Sequence, residues 1–419
     1  MKLELHILQN FAPSNLNRDD TGSPKDCELG GVRRARISSQ CYKRAIREAF
    51  VTHRLLDEDE RATRTKRLVE AVADQVVAAT KIDPERARLA VVCALGGAKL
   101  TAELKPEGDH QVWKTQYLLF LPSRVVAELA GLVAEHLEAL TPPPAGAEES
   151  KAEKPAKGKA AKSKKQEKTE AKDEVPVELR KQIERLLADG SRTPELGLFG
   201  RMIADAPEWN VDAACQVAHA ISTHRVSMEF DFYTAIDDLK REDTAGSDMM
   251  GTIPFNSACF YRYLVVDVAD LEKNLGGDAA AHAQAKKTLA ALLRAAVLAI
   301  PSGKQNSMAA HNPPSFVLID VRDGGAPRSL ANAFVSPVRP DQGENGDLVA
   351  RSVVKLGELL AALDGVYGTD GRKDLSFCVV DPGNSLAKAF SQKVASATSR
   401  PSIDALVKAA TVAAFGEAE

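Results

Sequence analysis

The stretch VRRARISSQCYKRAIREAF runs from Val32 to Phe50 and changes its periodicity halfway. Up to Ile37 it alternates as an extended segment, with Arg34 and Arg36 on one face and Ala35 and Ile37 on the other. Ser38 or Ser39 then offers a hydroxyl suited to capping a helix N-terminus. Beyond it Tyr42, Ala45, Ile46, Ala49 and Phe50 recur at helical spacing, so the pattern predicts a helix over 39–53 with one apolar side. Gln40, Lys43, Arg44 and Arg47 recur at the same spacing out of phase and form a stripe on the opposite side. Six basic residues precede the first acid, Glu48, in a chain whose formal net charge is −3. Like charges one turn apart repel by roughly 0.3 kcal/mol per pair. A stripe of one sign therefore points to an anionic partner, and its length and spacing suit a nucleic-acid backbone.

Working outward, residues 2–9 alternate as a strand, with Leu3, Leu5 and Ile7 opposite Lys2, Glu4 and His6. Residues 10–31 form a loop rich in Asn, Asp, Gly and Pro. Strands are predicted at 213–223, 260–268 and 315–321, and a long Ala-rich helix at 278–299. The order strand, helix, strand, strand, helix, strand is that of a ferredoxin-like α+β core, the topology beneath RNA-recognition folds. Two insertions decorate it: residues 54–205, read as mostly helical with a short strand in VWKTQYLLFL (112–121), and residues 224–259, read as a β-hairpin. Helices near 347–363 and 402–414 and a strand at SFCVVD complete the chain.

Composition fits a globular protein of two or more domains: 419 residues, 44% hydrophobic and 27% charged. No apolar run is long enough to span a bilayer, and the N-terminal residues read as a strand rather than a signal peptide. Six cysteines with no CxxC pair point to a reducing cytosol, with neither a disulfide frame nor a zinc ribbon. Residues 151–172 carry nine lysines against three glutamates and no large apolar residue. Such a segment cannot offset its ordering entropy, so 142–175 is expected to be a disordered lysine-rich loop.

Within the N-terminal loop, Arg18 and Lys25 are candidate phosphate ligands, and Asp19 is expected to orient Arg18 or a loop amide. In PSGKQNSMAAHNPPS (301–315), Lys304, Gln305 and Asn306 are donors on a Gly-containing loop, suited to phosphate or ribose. In the 224–259 arm, Met228, Phe230 and Phe232 alternate with Glu229, Asp231 and Tyr233. Together with Met249 and Met250, Phe232 and Tyr233 are candidates to wedge between bases or to pack on a neighbouring copy. Asp237, Asp238, Asp243 and Asp248 read as solvated turn residues rather than a metal site. No G-x-S-x-G, P-loop or H-E-x-x-H occurs. No metal or cofactor is expected, and the residues make no case for catalysis.

Several blocks in this order, LNRDD, KD, GGVRRARISSQCYKRAIRE, LFGRM, NVDAACQVAHAISTHRVSMEFDFYTAIDDL, FYRY and LANAF, resemble the backbone subunit of type I-E CRISPR Cascade, a member of the RAMP superfamily. The lysine-rich tract departs from that pattern. The resemblance implies an RRM-like palm (1–53, 206–223 and 260–419), a helical fingers insertion (54–205) and a β-hairpin thumb (224–259). It implies a non-catalytic protein that polymerises along CRISPR RNA in the cytoplasm as a helical filament, presenting the guide to a target DNA strand for antiviral defence. The implied partners are other copies of itself, the large, small, tail-binding and guide-processing subunits, and a recruited helicase-nuclease.

Residue by residue, the resemblance implies guide-backbone contacts at Arg18, Lys25, Ser38, Gln40, Lys43 and Arg47. Arg44 joins them from the stripe, and Arg34 and Arg36 from the extended face. Met202, with Phe232 or Tyr233, resembles the apolar residues flanking a displaced base, and Met228 lies beside them on the thumb. If each copy neutralises about four phosphates, the log–log salt slope approaches about −3 per copy. The alternatives are a metal-dependent endoribonuclease using a thumb aspartate (Asp231, Asp237 or Asp238) and a general single-stranded RNA-binding module.

Overall fold

The central element of the computed structural model is a strand buried on both faces, β1 (Lys2–Ser14). The structure describes residues 1–141, 175–189, 192–203, 207–235, 249–340, 347–381, 383 and 385–416. All of the expected lysine-rich loop but Val175 therefore lies outside the described residues, as do Asp237, Asp238, Asp243 and Asp248. The chain divides into two compact units.

The first unit comprises 1–56, 214–273 and 277–419. Its strands after β1 are β2 (Asp26–Leu29), β3 (Val32–Ile37), β4 (Cys215–Val217), β5 (Ala220–Ser222), β6 (Glu229–Ala235), β7 (Met249–Asp267), β8 (Phe316–Arg322), β9 (Arg372–Val379) and β10 (Thr398–Ser399). They form one sheet in the order β10-β9-β8-β1-β7-β5-β3-β2, with β4 and β6 also paired to β7. The inner run β8-β1-β7-β4/β5 is antiparallel throughout and has the strand order of a ferredoxin-like core. The fold is α+β, as the element order predicts.

Alternation along β1 sorts side chains but does not expose either face. Leu5 and Ile7 lie under α1 (Ser39–Thr52), whose buried residues are Tyr42, Ala45, Ile46, Ala49 and Phe50, the five that the periodicity selects. The helices α2 (Ala279–Leu298) and α4 (Ile403–Phe415) pack against each other in the same layer. On the other face Leu8, Phe316, Leu318 and Phe377 meet Val353, Leu356 and Leu360 of α3 (Leu348–Tyr367). Glu4 and His6, on the face opposite Leu3, Leu5 and Ile7, are therefore buried as well. They are satisfied by polar partners: Glu4 accepts from Arg322 and from the Tyr263 hydroxyl at 2.6 Å, and His6 Nδ1 lies 2.9 Å from the Tyr261 hydroxyl.

The predicted strand 213–223 is two short strands. Val217 pairs with Leu264 but Ile221 with Tyr261, so Ala218–His219 hold one extra residue as a β-bulge. The bulge turns His219 outward, where its Nδ1 lies 3.1 Å from the Arg36 guanidinium.

The second unit, 57–213 with 274–276, has helices Leu68–Thr80, Pro84–Gly97, Ser123–Glu135 and Val177–Asp189 around a core including Val72, Val91, Leu129 and Ile183. It holds more strand than the mostly helical reading allows. Ala102–Glu107 pairs with His110–Thr115, and Ala62–Thr65 pairs with Leu119–Pro122. The single strand expected within 112–121 is split between these two ladders, because Thr115 Oγ1 donates to the Tyr117 carbonyl at 2.7 Å and bends the chain.

Candidate nucleic-acid interface

The basic stripe of α1 is assembled with the N-terminal loop by backbone bonds. Ser38 caps the helix: its Oγ accepts from the Cys41 amide at 3.3 Å. The Ser38 amide in turn donates to Asn17 Oδ1 at 2.9 Å. The Lys25 amide donates to the Asn17 carbonyl and the Arg36 amide to the Lys25 carbonyl, at 2.8 and 2.9 Å. One chain of bonds thus fixes the loop, the end of β3 and the helix N-terminus together. The positive end of the helix dipole lies at that junction, where it favours an anion.

The loop is tight for its own reasons. Asp19 Oδ1 accepts from the Thr21 amide at 2.9 Å, the Thr21 hydroxyl at 2.8 Å and the Ser23 amide at 2.9 Å. Those bonds, the Thr21 hydroxyl first, hold its carboxyl below the usual carboxylate range despite the opposing effect of desolvation. Of the two expected uses of Asp19, the structure displays the loop-amide one. Gly22 takes a φ of +87°, a conformation few L-residues adopt. Arg18, at a bridge to Pro24, is exposed at the loop surface.

Electrostatics show which charges are neighbours. Burial, then the charges of Arg36 and Lys25, holds His219 below its ordinary pKa. Burial raises the Cys41 thiol, against the charges of Lys25 and Arg44. Lys43 acts likewise on buried Cys215, whose thiol burial pushes up to about 12. Lys25 therefore links the loop to the helix, with Arg36 beside His219 and Arg44 beside Cys41, while Lys43 lies towards Cys215 of β4. Gln40 is exposed and Arg47 half-buried on the same helix side.

Four expectations need correction. Arg34 is 0% exposed; its guanidinium donates to the carbonyls of Thr223 at 2.9 Å and Phe334 at 2.7 Å, with longer contacts to Ser222 and Val335. It joins two segments of the fold and presents nothing to a ligand. Ser38 is buried and its oxygen serves the helix cap. The stripe is not free of acid, since Arg44 Nε and Glu48 form an ion pair at 2.8 Å one turn apart. Gln305 donates its side-chain amide to the Pro301 and Ala310 carbonyls at 3.0 and 3.3 Å, so it holds its own loop in shape.

The neighbouring 301–310 segment still approaches the N-terminal loop. Gly303 lies against the Leu16 carbonyl so closely that a Cβ has no room. Lys304 is half-buried and Asn306 exposed on this segment.

On the β6–β7 hairpin, Phe230, Phe232 and Met250 share one face, because Phe232 pairs with Thr252 and Thr234 with Met250. They are 67%, 62% and 67% exposed. Tyr233 is on the other face, its ring lying over Gly251, and Met228 is half-buried at the base. The hairpin therefore offers Phe232 with Phe230 and Met250, not Phe232 with Tyr233. Strict alternation in EFDFY carries that signal once the cross-strand register is known. Met202 belongs to the second unit and is 84% exposed beside a cleft of about 480 Å³ lined by Phe120, Phe199 and Arg201. Among the described residues no three His, Cys, Asp or Glu side chains are grouped to hold a metal ion. No described helix is long and apolar enough to cross a membrane.

The model of one family, the CT1975-like protein family, matches residues 3–409. No curated protein sequence matches. Among solved structures, a chain of a "CRISPR RNA-guided surveillance complex, pre-nicking" is 32% identical, with a TM-score of 0.79 over 99% of this chain and 100% of that one. A chain of a "CRISPR RNA-guided surveillance complex" is 27% identical, with a TM-score of 0.70 over the same shares.

Proposed function

The chain belongs to the CT1975-like protein family, and from that footing we propose that it is the guide-RNA-binding backbone subunit of a CRISPR surveillance complex, of type I-E. The observation that carries this reading is the junction at the N-terminus of α1, where backbone bonds fix Lys25 and Arg36 beside the helix that carries Lys43 and Arg44. A dipole end and several cations on one rigid scaffold suit a run of backbone phosphates. Likeness to solved surveillance-complex chains over the whole length supports the assignment.

In this reading the first unit is the palm, with the β6–β7 hairpin as thumb, and the second unit is the fingers. Copies line up along the guide in the cytoplasm. The exposed Phe230, Phe232 and Met250 give the thumb an apolar face suited to stacking on a displaced base. Sequence is then read by pairing of guide to target strand, while the protein supplies shape and charge. We assign the chain no catalytic step. The other Cascade subunits and the helicase-nuclease are its partners in the same proposal.

The test is co-expression with a CRISPR array and the neighbouring subunits, followed by the absorbance ratio at 260 and 280 nm and the length of the extracted RNA. One RNA of defined length, lost in a Gln40/Lys43/Arg47→Ala variant, is the expected result. Purification of folded complex without RNA overturns the reading.

A further inference from the structure

A second basic surface lies at the far end of β3 and is not used by the function proposed above. Arg33, His224, Arg225, Val338, Arg339 and Leu348 contribute to a cleft of about 550 Å³, and no carboxylate lines it among the described residues. Its three arginines come from three separate parts of the chain: the start of β3, the segment after β5, and the segment before α3. They are brought together by the fold, not by a charge run in sequence.

The floor is rigid. The Val226 amide donates to the Arg33 carbonyl at 3.1 Å, and the Val338 amide to the Thr223 carbonyl at 2.9 Å. Buried Arg34 ties the Thr223 and Phe334 carbonyls together beneath it. His224 is fixed as a neutral ring. Its Nδ1–H donates to the Arg225 carbonyl at 2.8 Å, and its Nε2 accepts from the Cys259 amide at 3.3 Å.

Arg33 is ion-paired with Asp26. Arg225 and Arg339 are exposed and form no ion pair with any described carboxylate. Two exposed guanidinium forks on a fixed floor, with no described carboxylate lining the cleft, suit a phosphate diester. Five residue steps along β3 separate Arg33 from Ser38, about 17 Å at strand rise. One nucleotide cannot serve both places, so the cleft is a separate site and not an extension of the α1 stripe.

We propose that this cleft binds a phosphodiester of a nucleic-acid backbone, through Arg225 and Arg339, independently of the α1 junction. The proposal rests on the nucleic-acid-binding reading but assigns different residues to a different place. The strand is either a distant part of the guide or a DNA strand, and the two are told apart by the probe.

The experiment is fluorescence anisotropy of the full chain with labelled oligouridylate RNA and, separately, oligothymidylate DNA over a range of salt concentrations. Arg225→Ala/Arg339→Ala is compared with Arg225→Lys/Arg339→Lys and with Lys43→Ala/Arg47→Ala. The expected result is about tenfold weaker binding of at least one probe by the alanine pair. Its salt slope should be shallower by about 1.4, two contacts at about 0.7 each. The lysine pair keeps the charge but not the fork, so it should bind more weakly than the parent and more tightly than the alanine pair, and the effect of the alanine pair should multiply with that of the α1 variant, as for separate sites. Weakening confined to RNA assigns the cleft to the guide; weakening of DNA assigns it to a DNA strand. If the cleft variant binds both probes like the parent while the α1 variant is weakened, the cleft proposal is overturned and the proposed function stands. If neither variant changes either probe, both readings fall. Unchanged affinity with lost self-association in light scattering also overturns the proposal, by making the cleft a protein contact.

Discussion

Replacing Arg34 by methionine separates a structural arginine from an RNA ligand. The side chain is fully buried, and no carboxylate is among its hydrogen-bond partners. Removing the guanidinium leaves the Phe334 carbonyl buried without its donor, at about 1–3 kcal/mol, while the Thr223 carbonyl loses one donor and keeps the Val338 amide. The longer contacts to Ser222 and Val335, at 3.4 and 3.2 Å, add less. Methionine refills much of the volume with apolar atoms, which offsets part of the loss. The net expectation is about 2 kcal/mol of destabilisation. For a unit of this size that is roughly 4–8 °C in the melting transition. Differential scanning calorimetry should show the transition of the first unit falling by that amount while that of the second stays put. RNA affinity measured well below the transition should change less than about threefold. A variant that melts with the parent but loses RNA affinity tenfold would refute the assignment of Arg34 to the scaffold.

Three further outcomes follow from the same geometry. Burial, reinforced by Arg322 and opposed by Glu4, holds His6 down to about 4. The unfolded chain takes up this proton near pH 6.5 and the folded chain only near 4. Stability is therefore complete above 6.5 and falls by about 3 kcal/mol as pH drops from 6.5 to 4. Melting temperatures from pH 7 to 4.5 check this, and His6→Asn should flatten the curve. Glu48→Gln removes the acid paired with Arg44 on the stripe; it should tighten RNA binding about twofold in anisotropy, at a cost of a few tenths of a kcal/mol in helix stability. Phe230→Ser/Phe232→Ser should leave melting unchanged, because both rings are exposed. It should also weaken binding of single-stranded RNA by roughly 1 kcal/mol or more per lost stack.

Local periodicity made much of this molecule legible. The five buried residues of α1, residues 2–9 of β1 and the order of the ferredoxin-like core follow from spacing of apolar side chains, whereas the end of β1 to Ser14 and the strand β2 fall where a loop is expected. What spacing leaves out is the cover laid on each face by distant chain. Arg34 shares a strand face with Arg36, as alternation requires, yet residues 222–223 and 334–335 close over it. Glu4 and His6 alternate with leucines as surface residues do, but they lie under a layer that includes α3 and are satisfied by Arg322, Tyr261 and Tyr263. The bulge at Ala218–His219 is one residue of register, invisible until Val217 and Ile221 are paired with their partners. The hairpin at 102–115 did carry a signal, Gly108-Asp109 between two short runs, which a helical reading of the region overrode.

The most direct test of the central claim is the salt dependence of RNA affinity for the parent and for Lys25→Ala/Lys43→Ala/Arg47→Ala. About four phosphates neutralised per copy predict a log–log slope near −3 for the parent, with a fall of about 2 in the variant as three contacts are lost. A parent slope near zero, or a variant slope equal to the parent's, would contradict the assignment of the α1 junction to a nucleic-acid backbone.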